Sequence, residues 1–364
     1  MAQNHHREHD GTIESMTGKR QSMDILTRLS NKSDYSALQL QLIISAWVLS
    51  GAFDRRQVIA VDNGEMEEAD YDKRSVYSLL YSMYKTLGEV RSETGEFYEL
   101  TFNTWGYAWP EAWGPQPAAC SGPERFGMNA YTGLFEFEPV KEYVAERDGK
   151  VQVVELGCGT GAGAHHICKH VLPKCSYQAV DLQRAAIETC RRKFVPHLDN
   201  RLTATHADAT QVPIASGFTD IVTVCETHVT ENRGEVSEED KRFFDTIHRL
   251  LKPGGFLVWG NAIPSDTWQP CFDYLNSIGM KVGEVKDVTA EAIAARDQDA
   301  ARVQSYIDQS LDRFYGFNIP ILGRQKRELA EIALKNFYRN PGTDLYDTMV
   351  TGRDMYKVIA AQKV

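Results

Sequence analysis

Residues 151–163 read VQVVELGCGTGAG, an apolar run that enters a stretch with glycine at every second position from Gly157 to Gly163. Glycine has no Cβ to forbid left-handed backbone, so such a turn curls tightly and brings the main chain close to a partner. A helix that follows it presents N–H groups without intrahelical acceptors. Strand, glycine turn and helix in this order point to an α/β fold that holds a nucleotide-like ligand at the carboxyl ends of parallel strands.

The texture after residue 150 agrees with that fold. Strand-like VQVVEL, SYQAVDL, LTATHAD, FTDIVTVCE and FLVWGN alternate with helical AHHICKHVL, RAAIETCRRKF and DKRFFDTIHRLL. Short strands joined by helices predict a parallel sheet covered on both faces. In the second of these helices Ala186, Cys190 and Phe194 recur every fourth residue while Arg191, Arg192 and Lys193 fall off the stripe, the pattern of a helix lying on a sheet. After MKVGEVKDVT a helical stretch over residues 289–340 precedes a final strand, DMYKVIAAQK. Upstream, YSALQLQLIISAWVLSGAF and SVYSLLYSMYKTLGEV read as helices, and the acidic run 65–72 reads as a solvated loop. The predicted organisation is therefore a flexible stretch over 1–22, a helical cap over 23–145, and an α/β core over 146–364 with a helical insert at 289–340. The apolar helix over 37–53 is a candidate homodimer contact.

Charge narrows the ligand. A formal net charge of −10 argues against a nucleic-acid partner, which selects for basic surface. Seven dispersed cysteines without a C-x-x-C pair read as reduced thiols of a cytoplasmic protein. The polar start MAQNHHREHDGTIES has no apolar core of a secretory signal, and LIISAWVLSGAF is too short to span a bilayer. The pairs His5–His6 and His165–His166 lack the i, i+4 spacing and carboxylate company of a metal site, so no metal is expected.

The glycine turn alone leaves two ligands open. Gly157, Gly159 and Ala162 satisfy G-x-G-x-x-G/A, and Asp181 lies twenty residues beyond Gly161, where a carboxylate accepts from both hydroxyls of a ribose. A nicotinamide-dependent oxidoreductase fits these residues as well as a methyltransferase. Three further features separate them. Glu155 stands two residues before Gly157, where a carboxylate repels a pyrophosphate and favours a cationic cofactor. HADAT puts Asp208 and Ala209 directly after the third strand, suited to an adenine edge. RLLKPGGFLVWGN ends a helix and enters a strand through Lys-Pro-Gly-Gly.

With these motifs in place, residues 151–263 resemble the core of a class I S-adenosylmethionine-dependent methyltransferase of the small-molecule type. VVELGCGTG matches the E/D-x-G-x-G-x-G loop of that family. The resemblance implies a Rossmann-like, seven-stranded sheet whose last strand runs antiparallel. It also implies cofactor contacts at Glu155, Gly157, Gly159, Gly161, Asp181 with its neighbour Leu182, Asp208 and Ala209. A methyltransferase-like protein that binds cofactor without turnover is the non-enzymatic alternative.

The acceptor side is read from two segments. VTVCETHVTENRG delivers Glu226, Thr227 and His228 to the rim after the fourth strand. An imidazole near neutral pKa suits a general base. Glu226 is similar to the glutamate that the geranyl diphosphate and sterol C-methyltransferase groups carry at this place, which implies a base or cation stabiliser; CETHV departs from their pattern after the acid. LGEVRSETGEFYELTFNTWGYAWPEAW loosely resembles the segment that closes over the cofactor in the same groups. Its aromatic density makes Tyr98, Trp105, Tyr107 and Trp109 candidates to wall a pocket for a small-molecule or lipid-like acceptor, or to pack the core.

Overall fold

The computed structural model describes residues 81, 87–92, 94–227, 233–315, 327–328, 331–332 and 334–364. The predicted 1–22 stretch, the apolar helix at 37–53, the acidic run at 65–72 and His228 lie outside the described residues. The chain forms two compact units, residues 1–87 with 310–333 and residues 88–309 with 334–364. The division therefore falls inside the predicted cap, and residues 88–145 belong to the same unit as the α/β core.

That second unit holds a short antiparallel ribbon, β1 (Glu89–Arg91) and β2 (Phe97–Glu99), followed by helices α1 (Arg125–Gly133) and α2 (Glu138–Glu146). The core then alternates β3 (Gln152–Leu156), α3 (Ala162–His166), β4 (Ser176–Asp181), α4 (Arg184–Lys193), β5 (Leu202–His206), β6 (Thr219–Cys225), α5 (Glu238–Leu250) and β7 (Leu251–Pro264). It closes with α6 (Trp268–Ser277), β8 (Met280–Asp287), α7 (Thr289–Tyr315, which runs on into the first unit), α8 (Asp344–Val350) and β9 (Asp354–Lys363). The seven-stranded sheet has the order β5-β4-β3-β6-β7-β9-β8. Strand β9 pairs antiparallel with both neighbours, while β3 to β7 pair in parallel. The α/β class, the seven strands and the antiparallel last strand are those read from the sequence; α7 begins where the 289–340 insert is expected, and α8 lies beyond its end.

Burial explains why these segments are strands. All seven residues of β6 are buried, as are Val153, Val154, Glu155 and Leu156 of β3, as expected for central parallel strands covered on both faces. On one face Val154, Leu156, Val222, Val224 and Trp259 pack against Phe243, Phe244, Ile247 and Leu250 of α5. Each such buried side chain contributes roughly 1.5–3 kcal/mol. A capping box starts α5, with Ser237 Oγ accepting from Asp240 N at 3.0 Å and Asp240 Oδ2 accepting from Ser237 N at 2.8 Å. On the other face Val153, Tyr177, Ile221 and Val258 meet Tyr107, Tyr131 and Leu134.

Two local expectations change. The helix predicted over 164–172 is α-helical only to His166 and continues as a π-helical turn, Ile167–Val171. Lys-Pro-Gly-Gly is the bulged lead-in of β7, and its register against β6 shifts between Thr219 and Ile221. Helix α5 has already ended at Leu250. A Cβ on Gly255 would lie 2.8 Å from the Asp220 carbonyl oxygen, so glycine is needed for two strands to approach.

Candidate active site

Strand β3 neighbours β4 on one side and β6 on the other, so the order in which strands are added to the sheet reverses beside it and a crevice opens at the carboxyl ends. Hydrogen bonds draw four strand ends together there. Gly159 N donates to Asp181 Oδ2 at 2.8 Å, tying the glycine turn to the end of β4. Ala207 N donates to the Asp181 carbonyl at 3.1 Å, which adds the end of β5. Thr227 Oγ1 donates to the Gly157 carbonyl at 2.9 Å, which adds the end of β6.

Protein lies against the glycines as well. Gly157 has φ +81° and a Cβ there would sit 2.0 Å from Thr227 Cγ2, while a Cβ on Gly161, at φ +85°, would sit 2.3 Å from Cys190 Sγ. These two positions demand glycine on backbone and on space together. Cys158 is buried beside them, and all seven cysteines are free and buried.

The acids are held differently. Asp181 is buried and accepts from Gln183 N at 2.7 Å through Oδ1 as well as from Gly159 N. Burial pushes it up to about 6 against the pull of those two N–H groups. Glu155 is fully buried beneath the turn. Tyr177 donates to its Oε2 at 3.1 Å, and Oε1 has no hydrogen-bond partner. Burial raises it to about 7, with the Tyr131 and Tyr177 hydroxyls opposing and Asp181 reinforcing. Asp208 caps the single turn Ala209–Gln211, Oδ1 accepting from Thr210 N and Thr210 Oγ1, both at 2.8 Å. Among the described residues its Oδ2 has no protein partner. Leu182, 38% exposed, offers an apolar surface between Asp181 and Gln183.

Segment 100–110 has no regular secondary structure and lies across this rim. Its backbone groups find side chains in place of a ladder, which is how an irregular segment avoids unpaired polar atoms. Thr101 N and Phe102 N donate to Glu124 at 2.7 and 2.8 Å. Thr160 Oγ1, in the glycine turn, donates to the Thr101 carbonyl at 2.5 Å. Trp105 N and Gly106 N donate to the two carboxylate oxygens of Glu226 at 2.7 and 2.8 Å, and Tyr356 Oη donates to Glu226 at 2.9 Å. Glu226 itself sits at φ +48°, a left-handed backbone that residues other than glycine uncommonly adopt. Burial raises its pKa, while Gly106 N, Trp105 N, the Tyr356 hydroxyl and the Arg296 charge favour the anion.

The predicted aromatic wall therefore separates into parts. Trp105 lines a cleft with Phe102, Phe126 and Arg296, and its indole donates to the Phe337 carbonyl at 3.0 Å. Tyr98, on β2, accepts from Arg302 at 3.1 Å. Trp109 donates to the Gly114 carbonyl at 3.1 Å and stacks edge-on with Trp113. Tyr107 is a correction: it is fully buried, edge-on to both Trp113 and Tyr356, so it packs the core and walls no pocket. Thr160, Tyr356 and Arg296 were not singled out by sequence reasoning, because their contacts join segments far apart in the chain.

The chemistry of the donor set fits a cationic nucleoside. Asp181 offers a buried carboxylate with lone pairs beyond those used by the backbone, Asp208 a free oxygen, and Glu155 an unpartnered buried oxygen whose charge attracts a cation. No group of three or more His, Cys, Asp or Glu suited to a metal ion occurs among the described residues. No described helix is long and apolar enough to cross a membrane.

Comparison with known proteins points the same way. A family model described as a methyltransferase domain matches residues 153–255. Phthiotriol/phenolphthiotriol dimycocerosates methyltransferase 1 of Mycobacterium ulcerans is 27% identical over 181 residues, covering 50% of this chain and 62% of that protein. Fatty-acid O-methyltransferase of Mycolicibacterium smegmatis is 25% identical over 165 residues, covering 45% of this chain and 56% of that one. The chain thus spans less than two thirds of the length of either relative. Among solved structures, a geranyl diphosphate methyltransferase in complex with S-adenosylmethionine has a TM-score of 0.46 at 14% identity, covering 73% of this chain and all of that one. The residues matched by the methyltransferase-domain model contain the glycine turn, Asp181 and Asp208, so the part of the chain that is similar to a methyltransferase domain is the part that builds the rim.

Proposed function

We propose that the protein transfers a methyl group from S-adenosylmethionine to a small or lipid-like acceptor, as a cytoplasmic enzyme that does not act on nucleic acid. The observation that carries this reading is the Asp181 carboxylate, buried at the rim and bonded to Gly159 N, with lone pairs left for a ribose diol. Bound there, S-adenosylmethionine supplies an activated methyl group on a sulfonium centre. Asp181 would accept from the ribose hydroxyls, and Asp208 Oδ2, the Ala209 N–H and the Leu182 side chain would hold the adenine. Glu155 places negative charge under the turn, where it favours a cation. Displacement at the methyl carbon asks mainly for alignment and exclusion of water, and segment 100–110 serves both by lying over the rim. Glu226 holds that segment down; with three donors on its oxygens we assign it positioning rather than proton abstraction.

The lipid-like acceptor class is supported by the relatives, whose names specify a fatty acid and phthiotriol/phenolphthiotriol dimycocerosates. Seven buried free thiols support a reducing compartment, and the net charge of −10 disfavours nucleic acid.

Incubation with methyl-labelled S-adenosylmethionine and a panel of fatty acids and hydroxylated long-chain lipids is expected to give labelled lipid and stoichiometric S-adenosylhomocysteine. Tight cofactor binding without turnover on any member would favour the non-catalytic alternative.

The raised carboxylates give this binding a pH signature. Asp181 at about 6 and Glu155 at about 7 are partly protonated in the unliganded protein, whereas the cofactor needs both ionised. Affinity for S-adenosylhomocysteine is expected to be full above pH 7 and to fall about tenfold per pH unit below pH 6 for each proton released. The sign reverses for the unliganded fold. A carboxylate pKa raised on folding adds stability that is present below the ordinary carboxylate range and lost progressively as pH rises from there to about 6 for Asp181 and about 7 for Glu155, so the thermal midpoint without ligand should fall with rising pH up to about 7 and level off above it. Calorimetry and thermal melts across pH 5–8 check both.

A further inference from the structure

Two of the buried thiols lie against each other. Cys168 Sγ and Cys175 Sγ are 3.7 Å apart, although the residues stand seven positions apart in the chain. Cys168 belongs to the π-helical turn Ile167–Val171 that continues α3, a wide turn closed by Leu172 N on the Ile167 carbonyl at 2.7 Å. Cys175 belongs to the turn that leads into β4, its N–H donating to the Leu172 carbonyl at 3.1 Å. The sulfurs of a disulfide stand about 2.0 Å apart, so a short closing movement separates this pair from a bond.

Charge and cover both favour reaction at this place. Arg201 Nη1 donates to the Cys168 carbonyl at 3.0 Å, which brings a guanidinium beside the two residues. The hydrogen bond from the Cys168 thiol and the Arg201 charge lower the Cys175 thiol against the effect of burial, while Cys168, which shares its proton, is raised. The thiolate is the form that attacks an oxidant. Both sulfurs are buried, yet the chain that covers them is thin. Of the residues that join them, Lys169, His170, Pro173 and Lys174 are exposed. A short exposed connection opens locally at far less cost than the whole fold.

We infer that Cys168 and Cys175 form an oxidation site, a dithiol that a peroxide converts to a reversible intramolecular disulfide. The Cys175 thiolate attacks the O–O bond and becomes a sulfenic acid; the hydroxide released takes up a proton and leaves as water. The Cys168 sulfur then attacks the sulfenic sulfur, and its proton leaves with the displaced hydroxide as a second water. The two sulfurs lose two electrons and the peroxide gains them. A dithiol reductant returns both thiols, which suits a protein whose resting cysteines are free. Position gives the bond a structural consequence. Helix α3 starts at the glycine turn and β4 ends at Asp181, so the new link joins at one end the two elements that the Gly159 N to Asp181 bond joins at the other. The site stands independently of the methyl-transfer reading.

The test exposes the folded full chain to increments of hydrogen peroxide, quenches with an alkylating agent and maps the products by mass spectrometry without reduction. The expected product is a linked Cys168–Cys175 peptide, lighter by about 2 Da, that disappears with dithiothreitol. It should form about tenfold or more faster than Cys225, which ends the central strand β6, is oxidised. Hydrogen exchange over residues 167–175 should slow in the oxidised protein. Cys168→Ser removes the thiol that resolves the sulfenic acid, so dimedone should label Cys175 in that variant. The linked peptide is read on the native protein, so a variant that fails to fold does not remove the test. A link that appears only after denaturation, oxidation of the pair no faster than that of Cys225, or exchange over 167–175 unchanged by oxidation overturns the inference.

Discussion

Asp181→Ala is expected to weaken S-adenosylhomocysteine binding by about 100-fold or more. Hydrogen bonds to a charged group contribute about 1.5–3 kcal/mol each, and in the proposed complex this carboxylate makes them to two ribose hydroxyls. It also makes them in the protein, to Gly159 N and Gln183 N. The substitution thus loosens the glycine turn as well as removing the sugar contact. Asp181→Asn separates the two effects. The amide keeps one oxygen acceptor but presents a donor on the other side, so it should recover part of the fold and little of the affinity. Isothermal titration of both variants, with thermal melts as the folding control, makes the comparison.

Glu226→Ala is expected to show the second large effect, a loss of methyl transfer of about 100-fold or more with a destabilisation of roughly 2–5 kcal/mol. It strands Trp105 N, Gly106 N and the Tyr356 hydroxyl, which now share its two oxygens. Because Gly106 sits at φ +65° with no room for a Cβ against the Phe126 carbonyl, the segment has no second way to lie on the rim. Glu226→Gln distinguishes positioning from base catalysis. An amide oxygen can still accept from Gly106 and Tyr356 while its NH₂ opposes Trp105 N. A positioning role predicts a moderate loss of rate with the pH–rate profile unchanged in shape. A general base predicts loss of the acidic limb of that profile.

The parts of the site that were legible in sequence are those whose chemistry is local. Glu155 lies at the end of β3 with Gly157, Gly159 and Gly161 following in one run, Asp181 ends β4 and Asp208 follows β5, so spacing alone gathers them at the carboxyl ends of neighbouring strands. Thr160 and Arg296 were not legible because each acquires its role from a distant segment; Arg296 meets a carbonyl 191 positions away. The i, i+3 pairing of Arg296, Asp299 and Arg302 was present in the sequence, but such spacing ordinarily marks surface ion pairs on a helix. Tyr107 shows the limit of composition. Aromatic density marks buried area without saying whether a ring faces core or ligand. Glu226 shows a related limit, since an acid at a strand end looks the same whether its oxygens are free or, as here, filled by backbone N–H groups from 120 and 121 residues earlier.

The central claim is that the rim at the ends of β3, β4 and β5 holds a sulfonium nucleoside. Calorimetric titration of the native chain with S-adenosylhomocysteine and, separately, with NADH tests it most directly. The account predicts one-to-one binding of S-adenosylhomocysteine that Asp181→Ala abolishes, and no competition from NADH. Binding of NADH alone, or S-adenosylhomocysteine affinity indifferent to Asp181, would contradict it.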